Sequence, residues 1–231
     1  MISGLRTITS PFETAYRIIP SRFPPVGVFD GLVSGKDLEL LFDLEARTNE
    51  RMREQIGELG LVDREDWVVG PGATVVMGAF THPSPFGSRF SDGSFGVYYC
   101  ADSEAAAIRE TAHHRAIFLR LTAERPCRVE MRQYVGRIVK KLVDGRRRLP
   151  PGALDAASYE VSRKIGAQLR EAKAYGLVYP SVRARGALCA ALFRPPAITG
   201  VVQSKMFQYL FDGRRISEVL PVGDAIPLAQ D

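Results

Sequence analysis

The chain has 231 residues, 45% hydrophobic and 25% charged, with a formal net charge of +5. That make-up fits one large globular domain, or one domain with an extension, and excludes a disordered or collagen-like chain. No apolar run approaches the length of a membrane span and the first residues lack a signal-peptide core, so a cytoplasmic protein is expected, with no membrane partner.

Taken in chain order, Pro11 to Pro25 is irregular except for Ala15-Tyr16-Arg17-Ile18-Ile19, which reads as an edge strand. After a glycine-containing loop, Ser34 is placed to cap a helix from Lys36 to about Leu59, stopped by Gly60. Leu38, Leu41, Phe42, Leu44, Met52, Ile56 and Leu59 give that helix its apolar stripe. Pro71-Gly72 precedes the apolar run Ala73 to Phe80, expected to be a strand. A loop rich in Pro, Gly and Ser then delivers Arg89. Phe95 to Ala101 reads as a buried strand, and Asp102 or Ser103 caps a helix from Glu104 to about Leu119.

Cys127 to Tyr134 and Arg137 to Val143 are expected as two strands, followed by a polar, proline-rich turn from Arg146 to Gly152. Ser158 to Tyr175 is an amphipathic helix with Val161, Ile165, Leu169 and Ala172 on one face and Gly176 as its stop. Leu177 to Ser181, Ala187 to Phe193, Gly200 to Phe211 and Arg215 to Val222 complete the strands, and the tail from Gly223 is expected to fray. The mixed order predicts an α+β fold, a mixed β-sheet core with flanking helices, in a single domain over 1–231. Residues 26–70 form a helical extension or insertion within it.

The three cysteines, Cys100, Cys127 and Cys189, form no CxxC pair and lie in apolar segments, as free buried thiols do. The only histidines, His82, His113 and His114, have no metal-ligand spacing, and no metal is expected. The basic residues are scattered apart from Arg146-Arg147-Arg148, which reads as a solvated turn, so direct nucleic-acid binding is not expected.

The richest stretch is Gly87-Ser88-Arg89-Phe90, then Val97-Tyr98-Tyr99-Cys100-Ala101-Asp102-Ser103, then Glu110. An arginine before the strand, a tyrosine on it and a glutamate two turns into the next helix can converge on one pocket. A guanidinium suits a pyrophosphate, an aromatic ring suits a flat base, and a carboxylate suits a developing cation. Those are the needs of cleaving the nicotinamide–ribose bond of NAD. No GxGxxG, Walker loop or GxSxG elbow is present, so NAD would be handled outside a Rossmann fold and a serine hydrolase has no support.

Arg17 in Tyr16-Arg17-Ile18, the Gly87–Phe90 and Val97–Ser103 segments leading to Glu110, and Val178-Tyr179-Pro180-Ser181-Val182-Arg183 together resemble the RES-domain family. Its name comes from Arg, Glu and Ser, matched here to Arg89, Glu110 and Ser181. The resemblance spans about Tyr16 to Leu220. It implies a fold similar to ADP-ribosylating toxins and a toxin of a RES–Xre toxin–antitoxin pair. It also implies NAD as the substrate, an Xre-like antitoxin partner with which it can form an oligomer, and water, phosphate or a protein as acceptor of ADP-ribose.

On this reading Glu110 stabilises the oxocarbenium-like ribose, Arg89 holds phosphate, and Tyr99 stacks on nicotinamide or closes the pocket. Arg17 is a second phosphate or ribose contact, and Ser181 hydrogen-bonds ribose or the nicotinamide amide. Tyr98 is expected on the opposite face of the strand, in the core. The alternative is a catalytically silent module in a toxin-like fold that holds an acidic antitoxin or nucleic acid.

Overall fold

A computed structural model describes residues 6–21, 29–32, 34, 36–38 and 56–223. Its strands are β1 (Thr7–Ile8), β2 (Ala15–Pro20), β3 (Tyr98–Ala101), β4 (Cys127–Ile138), β5 (Leu142–Asp144), β6 (Gly176–Pro180), β7 (Leu188–Leu192), β8 (Ile198–Phe211) and β9 (Ile216–Val222). They form one sheet in the order β1-β5-β6-β7-β3-β2-β4-β8-β9. The β5–β6 pair is parallel and the other pairs are antiparallel, so the sheet is mixed and the fold is α+β, as expected.

The segment expected at an edge, β2, instead lies at the centre between β3 and β4. Its alternation explains why: Ala15 and Ile18 are both buried but face opposite sides, as a strand covered on both faces requires.

Helix α1 (Ala73–Thr81) corrects the expected strand. Seven of its nine residues are buried, so no polar face marks a helical period, and Thr74-Val75-Val76 carries the β-branched content of a strand. Pro71-Gly72 is its entry. Gly72 takes a left-handed φ of 81°, and a Cβ there would meet the Val201 carbonyl oxygen at 2.0 Å. Asp30 Oδ1 accepts from the Thr74 amide at 2.8 Å, satisfying a first-turn donor.

Helix α2 (Glu104–Leu121) starts at Ser103, whose hydroxyl accepts from the Ala106 amide. Helix α3 (Glu160–Glu171) is shorter at both ends than expected. Strand β4 runs on through Tyr134 to Ile138 and leaves only β5 of the second expected strand. Ser34 does cap, accepting from the Asp37 amide, and residues 36–38 are helical. Most of the expected Lys36–Leu59 helix lies outside the described residues. Gly57 takes a φ of 71°, and Leu59–Leu61 is a short 3-10 turn, so the helical run stops before Gly60. Residues 224–231 also lie outside the described residues.

The sheet has two covered faces. One carries α1, with Met77, Phe80, Tyr98, Tyr134 and Val201. The other carries α2 and α3, with Ala106, Ala107, Ile165, Leu169, Tyr179 and Tyr209. No helix among the described residues is long and apolar enough to cross a membrane. Cys100 and Cys189 are buried free thiols, whereas Cys127 is only partly buried.

Candidate active site

The site forms on the α2/α3 face, where the end of β6 meets α2. Glu110 Oε1 accepts from the Ser181 hydroxyl at 2.5 Å, the Val182 amide at 3.1 Å and the Arg183 amide at 3.3 Å. Cys189 Sγ lies 3.9 Å from the same oxygen; burial, then the Glu110 charge, raises that thiol's pKa, which keeps it protonated. Ser181 Oγ accepts in turn from the Arg183 and Ala184 amides at 3.2 and 2.9 Å. Its proton and both lone pairs are therefore used inside the protein, and it holds Glu110 in place. The structure brings Ser181 to Glu110 as a support and leaves it no bond for ribose.

Oε2 of Glu110 accepts no hydrogen bond among the described residues and lies 4.0 Å from His114 Nε2. Desolvation, with Arg89 and Arg183 nearby, lowers the His114 pKa, and Glu110 only partly opposes this. His114 is therefore neutral at pH 7, and the contact is not an ion pair. Sequence reading missed His114, although its i,i+4 spacing from Glu110 on a predicted helix was the signal that could have found it.

Arg89 sits before β3 in a turn that is fixed on several sides. Ser88 donates its amide to the Ser91 carbonyl at 2.7 Å, and Arg163 donates to the Ser88 and Phe86 carbonyls. Gly166 lets α3 lie against this turn, since a Cβ there would meet the Phe90 carbonyl oxygen at 1.8 Å. Tyr99 OH pairs with Ser88 Oγ at 2.8 Å and accepts from the Phe90 amide at 2.9 Å. Burial pushes Tyr99 up to about 12, so it stays a neutral phenol. Its hydroxyl is a brace for the arginine turn.

Arg89 is only 4% exposed. It donates Nη1 to the Asp155 carbonyl at 2.8 Å and lies 4.5 Å over the Tyr159 ring, while its Nη2 is shielded without a partner among the described residues. Tyr159 and His114 rings lie 6.3 Å apart. Glu110, His114, Tyr159 and Arg89 thus form a continuous line of neighbours. Tyr159 comes from a distant segment with no local motif, whereas Arg183 closes the Val178–Arg183 segment.

Arg17 is not part of this line. It stacks 4.4 Å over the ring of Tyr98 and donates Nη1 to the Tyr99 carbonyl at 3.1 Å, on the α1 face of the sheet. Tyr98 is fully buried there, on the face opposite Tyr99, as its phase predicts. Among the described residues no group of three or more His, Cys, Asp or Glu is placed to hold a metal ion.

The model of the RES domain family matches residues 62–212, which is more than half of the chain. The chain belongs to the RES domain family. It is 32% identical over 221 residues to the uncharacterized protein y4oC of Sinorhizobium fredii (strain NBRC 101917 / NGR234), covering 91% of this chain and 88% of that protein. Among solved structures it is similar to a chain of the M. tuberculosis MbcT–MbcA toxin–antitoxin complex, at 12% identity and a TM-score of 0.44 over 86% of each chain. The family match takes in Arg89, Tyr99, Glu110 and Ser181, while β2 with Arg17 lies before it and still supplies the middle of the sheet.

Proposed function

We propose that this chain is the cytoplasmic toxin of a toxin–antitoxin pair and that it breaks the bond between nicotinamide and ribose C1′ of NAD. Membership of the RES domain family supports the class. The observation that carries the chemistry is the asymmetry of Glu110, one oxygen saturated by protein donors and the other free beside a neutral imidazole.

As the C1′–N bond breaks, its electron pair returns to the pyridinium nitrogen, so nicotinamide leaves neutral and needs no strong acid. Positive charge develops on the ribose, and Glu110 Oε2 faces it without the protein reorganising. The acceptor then bonds to C1′ and gives up its proton, which Oε2 can take. Arg89 holds phosphate oxygens through a guanidinium whose Nη2 has no other partner among the described residues. Water, phosphate or a protein side chain serves as acceptor, and an Xre-like antitoxin holds the enzyme inactive in its host.

The test is incubation of the purified chain with NAD, with free nicotinamide as the readout. Glu110→Gln keeps an acceptor at the Oε1 position and removes the charge, so turnover should fall on the order of a hundredfold or more while the melting temperature holds. No nicotinamide release by the wild-type chain overturns the reading. Labelled NAD added with cell lysate separates transfer to protein from hydrolysis or phosphorolysis.

A further inference from the structure

Arg89 and Arg183 are tied to one strap. Arg89 Nη1 donates to the Asp155 carbonyl, and Arg183 Nη2 donates to the carbonyl of the next residue, Ala156. Each guanidinium also keeps one nitrogen that is shielded from solvent and has no hydrogen-bond partner among the described residues: Nη2 of Arg89 and Nε of Arg183. Guanidinium forks match anionic oxygens in pairs; here each meets a single neutral carbonyl. Two charged donors left half-satisfied on consecutive carbonyls of one strap suit something more negative than a peptide.

The strap itself is lightly held. Residues 155–158 are all exposed, with two alanines and a serine among them. Its shape depends on Asp155, whose Oδ1 accepts from the Ala157 and Ser158 amides at 2.7 Å each. Ala153 before it and the Tyr159 ring against Arg89 behind it fix the two ends.

We infer that Arg89 and Arg183 form a two-armed anion clamp and that the Asp155 and Ala156 carbonyls occupy it until a pyrophosphate-bearing ligand displaces them. Binding the anion and lifting the strap are then one event, because the anion competes with the Asp155 and Ala156 carbonyls for the same two guanidinium groups. The backbone of Arg183 also donates to Glu110 Oε1, so the clamp adjoins the carboxylate. The identity of the anion as the pyrophosphate of NAD rests on the function proposed above, whereas the clamp does not.

The experiment titrates inorganic pyrophosphate into the full chain by calorimetry and follows hydrogen exchange of residues 154–159. Wild type should bind pyrophosphate, and exchange in 154–159 should rise on binding. Arg183→Gln should weaken binding about tenfold or more, and Arg183→Lys, which keeps charge and loses the fork, should fall between. Asp155→Ala removes the Oδ1 acceptor that shapes the strap, together with a charge that Arg89 feels; it should tighten binding by roughly threefold or more over Asp155→Asn, which loses the same charge and keeps the acceptor. Arg183→Lys and Asp155→Ala keep the test alive should Arg183→Gln fail to fold. Absence of pyrophosphate binding, unchanged affinity in the arginine variants, binding in Asp155→Ala no tighter than in Asp155→Asn, or no rise in strap exchange overturns the clamp. Nicotinamide release from NAD, measured on the same samples, reports separately on the proposed reaction.

Discussion

Ser181 gives its only proton to Glu110 Oε1, and its own oxygen is filled by two backbone amides. A serine so placed sets the position of the carboxylate and has its proton and lone pairs engaged within the fold. Ser181→Ala should therefore lower kcat by roughly tenfold with KM little changed, since Glu110 keeps two backbone donors but loses its hydroxyl donor. The Arg183 and Ala184 amides also lose an acceptor, so stability should fall by about 1 kcal/mol. Steady-state kinetics with a thermal melt checks both. A raised KM at constant kcat would return Ser181 to a role in substrate contact.

Arg17 and Arg89 separate in the same way. Arg17 works from the α1 face, where it supports the Tyr99 carbonyl and covers the Tyr98 ring. Arg17→Ala should cost about 1–3 kcal/mol of stability through the lost bond and stacking. NAD affinity of the folded variant should stay near wild type. Arg89→Ala should weaken NAD binding, because on the proposed reading Arg89 is the fork for the phosphates. Binding measured below the melting point of each variant decides the matter, and an equal affinity loss in both would place Arg17 in the substrate site.

Much of this arrangement was legible because it is local. The Ser103 cap, the alternation of Tyr98 and Tyr99 and the position of Glu110 on α2 all lie within a dozen residues and follow from periods of 2 and 3.6. What was not legible depends on pairing between distant segments. The central place of β2 decides that Arg17 faces away from Glu110, and only the register with β3 and β4 shows it. Helix α1 was misread because burial on all sides erased its amphipathic period. Tyr159 reaches the site from the start of α3, where nothing in the neighbouring residues marks it; Arg183 lies in the Val178–Arg183 segment, but only the fold brings its side chain to the Ala156 carbonyl.

Two histidines contribute to the response to mild acid. Burial, ahead of the Arg183 charge, pushes His113 down to about 4 from 6.5, and desolvation lowers His114 as well. Both groups protonate more readily in the unfolded chain than in the folded one. Their contribution to stability is fully present above about pH 7 and is lost as pH falls through the ordinary imidazole value, because the unfolded state then binds more protons. For His113 the loss continues to about 4, where the folded form protonates too. Asp144, held low by its hydrogen bonds to Arg146, enters only at lower pH. Melting temperature should fall between pH 7 and 5, and His113→Gln should flatten that slope. A melting temperature that rises across this interval contradicts the assignment.

Tyr98 and Tyr99 are neighbours with opposite dependence on their hydroxyls. The Tyr98 hydroxyl is buried and has no partner among the described residues, so Tyr98→Phe removes an unsatisfied group and should leave stability and NAD turnover near wild type. The Tyr99 hydroxyl joins Ser88 to the Phe90 amide on either side of Arg89. Tyr99→Phe leaves that buried amide unpaired and frees the turn, which should cost about 1–2 kcal/mol. Because the turn carries Arg89, the functional effect should be a higher KM for NAD in the direction of Arg89→Ala, smaller than that of Arg89→Ala itself. Parallel kinetics on the three variants provide the check. A large activity loss in Tyr98→Phe, or a Tyr99→Phe enzyme with normal KM and a collapsed kcat, would mean that the tyrosine acts on the reacting bond instead of on the arginine turn.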